Sequence, residues 1–115
     1  MYATGVRFTF EGWHFWAEAP HSCAYLRFPH RHVFHVEAYR YFAGLPQHGR
    51  PVEMIEAKRV LSAEVASRLY SDQNNPLPLS CEQMAEIIAG EFGMDYVSVS
   101  EDGENVGMFW KDAAK

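Results

Sequence analysis

From His30 to Phe42 the chain runs without a glycine or proline, and its residue types alternate throughout. Successive side chains of an extended strand point to opposite faces. One face of such a strand collects His30, His32, Phe34, Val36, Ala38 and Arg40; the other collects Arg31, Val33, His35, Glu37, Tyr39 and Tyr41. The valine and aromatic content suits a pleated, half-buried surface. This stretch is therefore predicted to be a long strand that opens with two imidazoles on one side.

An upstream segment has the same character. From Val6 to Trp16, the residues Val6, Phe8, Phe10, Gly12, His14 and Trp16 share a face. Gly12 interrupts it, marking either a bulge or a close backbone approach. If the two strands pair, His14, His30 and His32 converge. Three imidazoles with a fourth position left open is the form that catalytic zinc takes. Three histidines satisfied by ordinary hydrogen bonds would show the same spacing.

The region between the strands, Ala17 to Pro29, is punctuated by Pro20 and Pro29 and reads as a loop. Gly44 to Pro51 then breaks the second strand. From Val52 to Tyr70 the period changes: Met54, Ala57, Leu61, Val65 and Leu69 recur at helical spacing. A second helix begins at Ser80, whose spacing to Gln83 fits a capping box. Met84, Ile87, Ile88 and Phe92 form its apolar stripe, and Gly93 suits its left-handed end. The chain closes with a hairpin, Tyr96–Glu101 and Asn105–Trp110, around the turn signal Asp102-Gly103. The order ββααββ predicts an α+β fold, an antiparallel four-stranded sheet with two helices on one face.

A chain of 115 residues supports one domain, taken as residues 1–115, rather than two. Its net charge of −5, without a basic block, argues against a nucleic-acid partner. No apolar run is long enough to span a bilayer, and the first residues carry no export signal. Two cysteines, Cys23 and Cys81, are too few for a disulfide scaffold. A cytoplasmic protein with free thiols and no membrane association is expected.

Nearly the whole chain resembles the 6-pyruvoyl-tetrahydropterin synthase family, which includes 6-carboxytetrahydropterin synthase of the queuosine and 7-deazaguanine pathway. The resemblance rests on Phe10, Gly12 and His14 at alternate positions of the first strand, and on His30, His32, Phe34 and Val36 opening the second. It continues with Cys23 in the loop before the His-x-His, Ser80-Cys81-Glu82-Gln83 at the start of the second helix, and Val97-x-Val99-x-Glu101 on the third strand.

The resemblance implies a T-fold and a Zn²⁺ ion held by His14, His30 and His32. It also implies Cys23 as general base, Glu101 as anchor of a pterin ring, and Ser80 and Glu82 at the pterin pocket. Three of these residues have a plainer reading. Cys23 can be a buried thiol, a capping box accounts for Ser80 and Gln83, and Glu101 can be a solvated hairpin charge. The implied activity is that of a zinc-dependent lyase acting on a reduced pterin, with dihydroneopterin triphosphate as reference substrate. The implied assembly is a homohexamer with sites between subunits. One element of the family is missing: its Leu-Asp-His motif between the helices, which supplies a proton-relaying aspartate and histidine. Here that region reads Leu69-Tyr70-Ser71-Asp72-Gln73-Asn74-Asn75-Pro76. The alternative expectation is thus a catalytically weakened T-fold protein that binds metal or a pterin-like ligand without turnover.

Overall fold

The two long alternating segments pair with each other along their full length. Strand β1 (Tyr2–His14) lies antiparallel to β2 (His30–Phe42), from Tyr2 opposite Phe42 to His14 opposite His30. The computed structural model describes residues 1–111. A short 3₁₀ segment, His21–Arg27, occupies the loop between these strands. Helices α1 (Met54–Arg68) and α2 (Cys81–Phe92) follow, then β3 (Tyr96–Glu101) and β4 (Asn105–Trp110). The four strands form one antiparallel sheet in the order β1-β2-β3-β4. The expected α+β order ββααββ is therefore present, with the 3₁₀ segment as an addition.

The β1–β2 register passes through Gly12, opposite His32, without a bulge. Gly12 instead marks a close approach. A Cβ there would come within 3.1 Å of both the Phe34 ring and Ser71 Oγ. Strand β1 begins at Tyr2, before the alternation that starts at Val6, because it pairs with the far end of β2. Gly5 assists: the Tyr39 ring lies across it, in space a Cβ would fill. The strand stops at His14 rather than Trp16. There the Phe15 N–H turns to the Leu77 carbonyl, 3.1 Å away, and the Leu77 N–H bonds the Trp13 carbonyl at 2.9 Å. This lays the segment before α2 alongside the end of β1.

One face of the sheet is the core face. Phe34, Val36, Ala38, Val97 and Val99 are buried on it, together with Phe8 and Phe10. Helix α2 covers it with the fully buried Met84 and Ile88, while Ile87 and Phe92 pack at its margin. Helix α1 contributes Leu61 and Val65, and Leu69 follows at its C-terminal end. Met54, at the start of the expected stripe, is exposed, so α1 meets the core only through its second half. Each large apolar side chain fully buried here is worth about 1.5–3 kcal/mol, so this layer fixes the sheet on which the site is built.

The helix ends follow their capping residues. Glu53 accepts from the Ile55 and Glu56 N–H groups at the start of α1. Ser80 and Gln83 form the full capping box of α2, and Gly93, at φ 70°, ends that helix in the left-handed conformation. In the hairpin, Asp102 and Gly103 both have positive φ, 54° and 77°, as a type I′ turn requires. The Glu104 N–H to Glu101 carbonyl bond, 2.9 Å, closes that turn. No described helix is long and apolar enough to cross a membrane.

Candidate metal centre

At the end of the core face that α2 leaves open, the register brings four polar side chains together. His14 is the cross-strand partner of His30, and His32 stands opposite Gly12. Glu101 stands opposite Phe34 on the next strand, two residues along the same face from His32. The His14 ring centroid lies 4.5 Å from that of His30 and 5.3 Å from that of His32. One ligand atom from each of His14, His30, His32 and Glu101 falls within 4.8 Å of all the others. This group can hold a metal ion.

The outward nitrogen of every ring is already engaged. His14 Nδ1 lies 2.9 Å from the Leu79 carbonyl, and His30 Nδ1 lies 2.9 Å from the Phe28 carbonyl. His32 Nδ1 lies 2.7 Å from Asp102 Oδ2. Carbonyls and carboxylates only accept, so each Nδ1 carries the hydrogen and each neutral ring presents a bare Nε2 lone pair to the centre. Such outer hydrogen bonds are what orient histidines toward a metal.

The inner atoms lack comparable partners. His14 Nε2 is buried and makes no hydrogen bond, although Glu101 Oε2 sits only 2.8 Å away. The same oxygen is 3.6 Å from His32 Nε2. With Nδ1 protonated, the short contact joins two acceptors, which repel unless a cation lies between them. Burial, the largest influence on His14, pushes its proton affinity below the ordinary histidine value of 6.5, against the opposing pull of the Glu101 charge. The donor set of three imidazole nitrogens and one carboxylate fits a divalent metal such as zinc.

Around the cluster lies an open cleft of about 1070 Å³. Its walls include Trp16, Glu18 and Tyr25 on the loop side, and Ser80, Cys81 and Glu82 at the start of α2. Trp16 and Tyr25 are exposed, 52% and 73%, so the rim offers aromatic surface beside the polar centre. Such a combination of apolar wall and convergent polar groups is the usual form of a small-molecule site.

Compared with known proteins, the chain matches no family model and no curated sequence.

The other residues singled out in the sequence fall as follows. Glu101 does line the cleft, with its carboxylate against the histidines. Glu82 is exposed on the wall. Ser80 also borders it, but its Oγ accepts the Gln83 N–H at 3.1 Å as a helix cap. Cys23 is half-buried in the 3₁₀ segment and is not among the cleft-lining residues. Asp72 spends one carboxylate oxygen on the Asn74 and Asn75 N–H groups, 2.9 and 2.8 Å, closing its own turn away from the cleft. The remaining histidines of the chain, His21, His35 and His48, are likewise outside the lining.

Three features of the site escape the sequence reading. Asp102, read there only as a turn residue, holds His32. Cys81 lies in the wall, its thiol pushed up to about 12 mainly by burial and then by the neighbouring Glu101 charge. Gly107 lets α2 start against β4, because a Cβ there would stand 2.5 Å from the Glu82 backbone nitrogen. A glycine inside a strand is the signal that could have flagged this last contact.

Proposed function

We propose that this chain is a T-fold zinc protein of the 6-pyruvoyl-tetrahydropterin synthase type, acting as a lyase-like enzyme on a reduced pterin or related bicyclic heterocycle. The observation that carries the reading is the convergence of three Nε2 lone pairs and the Glu101 carboxylate on one point. His14, His30 and His32 would hold the ion. Bound zinc supplies Lewis acidity toward substrate oxygens.

The protein's own groups divide the remaining work. Glu101, already inside the cleft with Oε2 turned to the histidines, offers its other oxygen to the N–H edge of an amino-pyrimidinone ring. Glu82 and Ser80 border the ring's position, and the Trp16 and Tyr25 rings give an apolar face beside it. Cys23 lies outside the cleft of its own chain, so its part as proton carrier belongs to an assembly whose sites lie between subunits. Strands β1 and β4 are the two edges of the sheet, and edges of this kind are normally paired or covered. A cytoplasmic homohexamer is the form this reading assigns.

A second reading, binding of metal and pterin-like ligand without turnover, has one observation in its favour. Asp72 and the three remaining histidines, which would have to replace the missing Asp-His pair, do not line the cleft. Incubation of the zinc-loaded protein with dihydroneopterin triphosphate separates the two. Product formation that is lost in Cys23→Ala supports the enzyme; ligand-induced thermal stabilisation without product supports the binding protein. Neither product nor stabilisation would sink the pterin assignment.

A further inference from the structure

The Asp102 carboxylate makes two contacts that a turn does not need. Oδ2 accepts the His32 Nδ1–H at 2.7 Å, and Oδ1 accepts the Val33 N–H at 2.9 Å. The Asp102 N–H in turn donates to the Val33 carbonyl at 2.8 Å. The residue is thus clamped to β2 from three directions, next to a metal-facing ring. It holds this place in a left-handed backbone conformation, φ 54°, that glycine and asparagine adopt more readily. An Asn-Gly pair would make this turn at least as well. The carboxylate therefore has a role that turn formation alone does not explain.

We propose that Asp102 is a positioning residue for the metal, fixing His32 as its Nδ1–H tautomer and aiming its Nε2 at the ion. This role rests on the zinc reading above. His14 and His30 are oriented by neutral carbonyls, whereas His32 alone has a carboxylate behind it. A carboxylate there fixes the tautomer and the orientation of the ring, as in carboxylate–histidine–metal arrangements generally. The dipeptide Glu101-Asp102 then serves both sides of the centre: Glu101 reaches the inner nitrogens and Asp102 the outer nitrogen of the same histidine.

Two substitutions keep the left-handed turn while altering the carboxylate. Asp102→Gly removes it. Asp102→Asn leaves one oxygen to serve two donors. In chelator competition with the purified full chain, Asp102→Gly should weaken zinc binding by roughly 10–100-fold, with Asp102→Asn between it and the wild type. The cobalt-loaded protein should change its d–d spectrum in the same order, while circular dichroism stays that of the wild type. In the metal-free protein at pH 8, long-range proton–nitrogen spectra should show His32 as the Nδ1–H tautomer in the wild type and as a mixture in Asp102→Gly. Wild-type zinc affinity and an unchanged His32 tautomer in Asp102→Gly would overturn the role. A wild-type chain that takes up no zinc would instead overturn the zinc reading, while the tautomer measurement still decides what Asp102 does to His32.

Discussion

Glu101 Oε2 and His14 Nε2 face each other across 2.8 Å in the cleft, and in the neutral ring that donates from Nδ1 to Leu79 the Nε2 carries no hydrogen. Without a cation this contact is repulsive; with one it becomes a pair of ligands. Glu101→Gln tests the point because its amide can donate where the carboxylate could not. The metal-free variant should be more stable than the metal-free wild type, by about 1 kcal/mol, the scale of satisfying one buried polar group. Zinc should raise its melting temperature less than that of the wild type. Equal melting shifts in calorimetry would show that Glu101 does not face the ion.

His14 gives the metal-free protein a definite pH response. Burial keeps its folded-state proton affinity below the ordinary 6.5. The unfolded chain therefore binds this proton more readily, and stability falls as pH drops below 6.5. Above that value the ring is neutral in both states and contributes no slope. Urea titrations of the metal-free protein between pH 8 and 5 should show this decline, and His14→Phe should show a shallower one. A slope unaffected by the substitution would mean that the ring is not buried as described.

The two cysteines should differ in reactivity. Cys81 is buried, with its thiol pushed up to about 12, and the thiolate is the reactive form. Cys23 is half-buried on the 3₁₀ segment. Iodoacetamide at pH 8 should label Cys23 well before Cys81 in the native protein, read by peptide mass spectrometry. Faster labelling of Cys81 would make it, and not Cys23, the candidate proton carrier.

The contact between α2 and β4 predicts an unforgiving glycine. A methyl on Gly107 would press on the Glu82 nitrogen at 2.5 Å and on the Cys81 carbonyl carbon at 2.9 Å, both backbone atoms with little room to move. Gly107→Ala should cost about 1–3 kcal/mol in chemical denaturation, the usual range for overpacking. It should also weaken ligand binding at the cleft, since Ser80, Cys81 and Glu82 move with the helix start. A neutral effect on both would contradict the packing of α2 on this strand.

Local patterns foretold what local forces decide. The bounds of β2, the capping box at Ser80, the left-handed Gly93 and the Asp102-Gly103 turn follow from spacing and turn chemistry, and the structure has each of them. Pairing decided the rest. Strand β1 extends back to Tyr2 because Arg40, Tyr41 and Phe42 are there to pair with it, and nothing in its own first residues announces this. Helix α1 starts at Met54, after the Glu53 side-chain cap, and its first turn is exposed although Met54 belongs to the apolar spacing.

The site divides in the same way. His14, His30 and His32 are legible because alternation puts them on one face. The contact between His32 and Asp102 spans 70 positions, and Asp102 already has a sufficient local explanation as a turn residue. Leu79 and Phe28 act through backbone carbonyls, which no side-chain pattern reveals.

Everything proposed for the cleft depends on the ion. Elemental analysis of protein purified without added metal, followed by competition against a chromogenic chelator, measures it directly. One equivalent of zinc per chain is expected, with affinity lost by a large factor in both His14→Ala and His32→Ala and the fold retained by circular dichroism. A chain that purifies without metal and takes up none on addition, or one whose zinc survives both substitutions, would contradict the assignment of these histidines.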